Sequence, residues 1–116
     1  MNVWNTSGGT NSYYQQIKDN LSVPALYEQL AEECCELAQA ALKKARKLRG
    51  ENYTPKTMEE IDANVTEEYT DVLMAANLLD IDVDYKQIID KGSRWISRLY
   101  FSKKNGEDLV NEDNRC

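Results

Sequence analysis

The chain has 116 residues, 41% of them hydrophobic, which suits one domain with a modest core that a partner subunit would complete. Its net charge of -6 and pI near 4.7 disfavour a general nucleic-acid-binding surface. No apolar run approaches the roughly 20 residues of a membrane span, and the N-terminus lacks the basic-then-apolar layout of a signal peptide, so a cytoplasmic protein is expected.

Residues 1–12 are polar and turn-prone and read as a flexible arm carrying one aromatic, Trp4. Trp4, Tyr13 and Tyr14 suit packing contacts better than stacking on a base. A short first helix is expected from Tyr13 to Leu21, with Tyr14, Ile17 and Leu21 on one side. Ser22, with Pro24 behind it, is a start signal for a long second helix that Gly50 stops. Leu26, Leu30, Leu37, Ala41 and Leu48 form its apolar face. Its glutamates come early and its cations, Lys43 to Arg49, come late, and compensation of the helix dipole accounts for most of them.

Glu33 is the exception, because it falls at steps of three and four between Leu30 and Leu37 and so occupies a core-facing slot. Glu36 lies one turn on, beside it. After a connector at 50–56, Thr57 and Glu60 make a capping-box pattern for a third helix striped by Met58, Ile61, Val65, Val72, Ala76 and Leu79. There the slot between Val65 and Val72 holds Glu68, with Asp71 three residues later. Packed as an antiparallel hairpin, the two helices would bring both acidic pairs to a common point. Asp82 or Asp84 can cap a last helix from about Tyr85 to Tyr100. Ile88, Trp95, Ile96 and Leu99 mark its expected buried side, Lys91, Arg94 and Arg98 form a basic row, and Gly92 suggests close packing or a kink. Residues 103–116 read as a loose tail. The expected fold is all-α, an antiparallel bundle built on a long helix hairpin and completed by oligomerisation: one domain over 1–116 with its core at about 22–101.

A carboxylate in an apolar stripe is costly unless a base or a cation compensates it. Histidine is absent, which removes the usual zinc sites, the Ser-His and Cys-His pairs and the Glu-x-x-His signature of di-iron bundles. Three cysteines, two of them the adjacent Cys34 and Cys35, make no disulfide framework, and reduced thiols are expected. Four converging carboxylates suit magnesium, which prefers oxygen ligands and is commonly held jointly by protein carboxylates and substrate phosphates. Manganese would be tolerated by the same ligands. Such a site points to phosphoanhydride hydrolysis.

The pattern Glu32-Glu33-x-x-Glu36 followed by Glu68-x-x-Asp71 resembles the signature of the MazG-type all-α nucleotide pyrophosphohydrolases, a superfamily that includes dimeric dUTPases and dCTP pyrophosphatases. The similarity spans about Leu26 to Arg98 and includes Leu37, the run Val72-Leu73-Met74 and the Ile81-Asp82 turn. Trp95 stands where relatives often carry asparagine, and the connector is longer than in compact members. The resemblance implies a homodimer or dimer of dimers that hydrolyses a nucleoside triphosphate to monophosphate and pyrophosphate. Carried over by position, Glu33, Glu36, Glu68 and Asp71 are magnesium ligands and catalytic groups, and Glu32 is a supporting or subunit-contact residue. Lys91 and Arg98 match a basic pair for phosphate contact, and Lys44 joins them as a further candidate. The rival expectations are a non-catalytic oligomer that binds metal or nucleotide as a regulatory module, and a partner-binding bundle with Glu33 and Glu68 salt-bridged across its interface.

Overall fold

A computed structural model of the chain describes residues 8–51, 53 and 55–104, with side chains at 13–51, 53 and 55–103. The sequence expectations for Trp4 and for the tail beyond Lys104 lie outside these residues. Four helices follow in order: α1 (Gly8–Asn20), α2 (Val23–Arg49), α3 (Met58–Leu78) and α4 (Tyr85–Lys104). The described residues contain no strand, so the all-α expectation holds. No helix among them is long and apolar enough to cross a membrane. The chain divides between Asp82 and Val83 into two compact units, the first carrying α1 to α3 and the second α4.

The boundaries of the middle helices are set by local chemistry. The Ser22 hydroxyl accepts from the Ala25 N–H at 3.2 Å, and Pro24 sits in the first turn of α2. At the other end Gly50 takes φ 73, and the Gly50 and Glu51 N–H groups return to Lys47 and Arg46 carbonyls, a Schellman closure. The capping box of α3 is complete: Glu60 N–H donates to Thr57 Oγ1 at 3.1 Å and Thr57 N–H to Glu60 Oε1 at 2.8 Å. The backbone donor of Thr57 holds the Glu60 carboxyl below its ordinary range. Of the two candidate caps for α4, Asp84 takes the role, accepting from the Gln87 N–H at 3.2 Å. Asp80 ends α3 with φ 58, a left-handed conformation that short polar side chains tolerate.

In the first unit α2 packs along α3. Leu26 meets Leu78 in the core cluster and Lys44 meets Asp62, so rising positions on α2 pair with falling positions on α3. α1 lies at the Leu26 end, where Tyr14 joins Leu26 and Leu78 with Ile17 and Leu79 against them. Burial pushes the Tyr14 hydroxyl up from its ordinary range, and its hydrogen bond with the Asn77 side chain acts the other way. Tyr14 is thus a packing aromatic. Lys18 reaches Asp80 at 3.5 Å, a second tie from α1 to the end of α3.

Five expectations need correction. α1 begins at Gly8, so residues 8–12 belong to a helix where an arm was expected. The buried line of α2 runs through Leu26 and Ala40, while Ala41 and Leu48 face solvent. The reason is helical drift: Lys44 is five full turns from Leu26 and takes the inward place that a step to Ala41 and Leu48 would have missed. On α3 the deepest positions are Ile61, Ala75 and Leu78, with Ala76 and Leu79 only half-buried, because the core shared with α1 centres on Leu78. On α4, Ile88, Trp95 and Ile96 are exposed by 54%, 57% and 66%, and only Leu99 of the expected inner side is half-buried. Amphipathic periodicity records that a face can be covered; a single chain need not supply the cover. Gly92 makes no close packing contact among the described residues, since a Cβ there would meet nothing within 4 Å.

Candidate metal centre

The long α2 presents Glu33 and Glu36 one turn apart, and α3 presents Glu68 and Asp71 at the same spacing. Because the helices pack with opposite numbering, the two pairs arrive at one level. One carboxylate oxygen from each of Glu33, Glu36, Glu68 and Asp71 lies within 4.8 Å of every other. Glu33, Glu68 and Asp71 are half-buried and Glu36 is exposed, so the cluster has an inner wall and one open side.

Two atoms set this cluster apart from ordinary surface acids. Glu33 Oε2 and Glu68 Oε2 are shut off from solvent and have no hydrogen-bond partner. A buried acceptor left unpaired costs about 1–3 kcal/mol, and more when it carries charge. No lysine or arginine forms a described ion pair with any of the four; the described bridges join Lys18 to Asp80, Lys44 to Asp62, Arg49 to Glu51 and Lys86 to Asp90. The residues fit a hard cation. The four oxygens lie close enough together for one such ion to reach all of them.

Beside the carboxylates lies a cavity of about 310 Å³. Glu33, Asp71 and Gln29 form its polar edge, and Leu26, Met74 and Leu78 are among its apolar walls. It shares Ile17, Leu21 and Met74 with a more open cleft lined also by Tyr13, Gln16 and Asn20. The acidic corner thus opens onto an apolar hollow.

The other sequence candidates fall elsewhere. Lys44 is ion-paired with Asp62, and eight residues of helix separate it from Glu36, about 12 Å along the axis. Lys91 and Arg98 stand on α4 in the second unit, both exposed and seven residues apart, hence on one face of that helix. Glu32 faces solvent, as its place on the helical wheel implied, and Cys34 and Cys35 are free, exposed thiols. Sequence reasoning passed over Gln29, whose side-chain amide donates to Glu33 Oε1 at 2.7 Å. Its position four residues before Glu33 was the available signal.

Comparison with known proteins returns no match: no family model fits the chain, and no curated protein or solved structure is significantly similar to it.

Proposed function

We propose that the chain is a magnesium-dependent nucleoside triphosphate pyrophosphohydrolase of the MazG-like type, working as a homodimer or dimer of dimers. The observation that carries this is the pair of solvent-shut, unpartnered oxygens, Glu33 Oε2 and Glu68 Oε2, within a four-carboxylate cluster. Glu33, Glu36, Glu68 and Asp71 would hold magnesium, which when bound polarises phosphoryl oxygens and gathers the triphosphate against the acidic wall. One carboxylate of the set accepts a proton from water as the water oxygen bonds to the α-phosphorus. The bond from that phosphorus to the bridging oxygen breaks, and pyrophosphate leaves with the electron pair. Lys91 and Arg98, which the resemblance gives to phosphate contact, stand on α4 in the second unit. Lys44 could join them only by releasing Asp62.

The apolar hollow next to Glu33 and Asp71 supports the same choice, since a nucleotide combines an anionic tail with a flat, largely apolar base. Oligomerisation is supported by apolar side chains left in water: Leu42 at 58%, Leu48 at 65% and the exposed side of α4. A second copy would complete the bundle that the single chain leaves open.

The test is a screen of canonical and modified nucleoside triphosphates with magnesium, read by pyrophosphate release, on a preparation whose mass is measured by sedimentation. At least one substrate should be turned over by an oligomer. Asp71→Asn should lower the rate by at least about 100-fold, the scale on which a group acting in proton transfer contributes, while helicity stays at the wild-type level. Full activity in Asp71→Asn would remove the site assignment. Calorimetric binding of nucleotide without any release would favour a regulatory module instead.

A further inference from the structure

We infer that Gln29 is a positioning residue for the metal centre, holding the Glu33 carboxylate so that one oxygen is fixed and the other is turned inward. The inference rests on the metal-site reading and adds a residue to it. Glu33 Oε1 accepts from Gln29 Nε2 at 2.7 Å, while Oε2 of the same carboxylate is buried and unpartnered. A carboxylate with both oxygens free can rotate about its last torsion at little cost. With Oε1 tied to an amide one turn back, that rotation is restricted and Oε2 is kept in its buried place, in a carboxylate that lies against the other three.

The chemistry of the donor suits the task. An amide N–H is neutral, so it orients Glu33 without cancelling the negative charge that a cation needs, whereas a lysine or arginine at position 29 would compete with the metal. Gln29 also lies along the cavity edge beside Glu33 and Asp71, and no charged side chain is among the described hydrogen-bond partners of Glu33. Hydrogen-bond partners of metal ligands typically carry about 10- to 100-fold in metal affinity. A plain helix-surface pair of the same spacing would instead add only a few tenths of a kcal/mol to helix stability and nothing to metal binding.

Manganese(II) binding to the full chain, followed by electron paramagnetic resonance, separates these roles. Gln29→Met removes the donor at nearly constant length, Gln29→Ala removes it without bulk, and Gln39→Met makes the same chemical change at an exposed site on α2. The expected result is a Mn2+ dissociation constant at least about tenfold weaker in both position-29 variants. At saturating metal their spectra should show altered zero-field splitting, with wild-type helicity in the metal-free protein. Gln39→Met should match wild type. A dissociation constant within twofold of wild type, with an unchanged spectrum, would overturn the role of Gln29 alone. If wild-type protein binds no Mn2+, the metal-site reading falls, and the role of Gln29 with it.

Discussion

Two levels of the same helix pair place charge against the interface and treat it in opposite ways. Near the α3 start Lys44 turns inward and Asp62 answers it across the gap, so the interface is neutral there. Two to three turns along, Glu33, Glu36, Glu68 and Asp71 meet with no described lysine or arginine paired to them, and two of their oxygens are sealed from water without a partner. The helices are able to supply a countercharge, as the first level demonstrates. A described countercharge at one level and none at the other separates an ion-paired seam from a cluster of like charges, which at 4.8 Å repel by about 3.5 kcal/mol per pair at an effective dielectric of 20.

The contrast can be broken first with magnesium. At a concentration 100 times its dissociation constant, a ligand of the folded state adds about 2.7 kcal/mol to stability. Wild-type protein should therefore melt several degrees higher with magnesium in a calorimeter, and Glu33→Gln should lose most of that gain. Equal melting temperatures with and without magnesium would reduce the acidic level to a surface feature.

The two levels should also respond with opposite signs when a charge is neutralised in metal-free buffer. Glu68→Gln relieves repulsion and should raise stability by about 1–2 kcal/mol in urea titrations, a cautious fraction of the Coulomb figure above. Asp62→Asn should lower it by less than about 1 kcal/mol, since the Lys44–Asp62 pair is half open to solvent and screened. Loss of stability in both variants would mean that the carboxylate cluster is compensated by something the single chain does not show.

The smallest effect on the site comes from the α3 start. Thr57→Ala removes the hydroxyl of the capping box and should cost about 1 kcal/mol of stability, with magnesium affinity unchanged because the acidic level lies more than two turns further along. The cap also carries a pH signature. Glu60 has its carboxyl lowered by bonding to the Thr57 backbone N–H, so its stabilising contribution is present above the ordinary glutamate range and is lost as pH falls through the lowered value. Acid unfolding profiles of Glu60→Gln should lack that component, and a profile identical to wild type would remove Glu60 from the account of the cap.

Much of the helix layout was legible because it rests on short-range rules. Ser22 with Pro24, Gly50, and Thr57 with Glu60 each act within one turn, and each sits where its chemistry placed it. The four carboxylates were legible for a related reason: Glu33 and Glu68 break apolar stripes at helical spacing, and an interrupted stripe is visible in one dimension. The Gln29 clamp was equally local but was overlooked, because a glutamine four residues from a glutamate is common on helices and gains meaning only beside a carboxylate with a buried oxygen.

What the residues alone determined, then, is the helical class, the capped ends of the middle helices and the identity of the acidic set, all consequences of interactions within a turn or of a 3.6-residue period. Tertiary structure decided the rest. It chose Ala40 and Lys44 over Ala41 and Leu48 as the inward continuation of α2, placed Leu78 under Tyr14, gave Lys44 to Asp62, and opened the hollow beside Glu33. Those outcomes depend on the rotation and level at which two long helices meet, and a few tens of degrees of drift over five turns is enough to exchange one face for its neighbour.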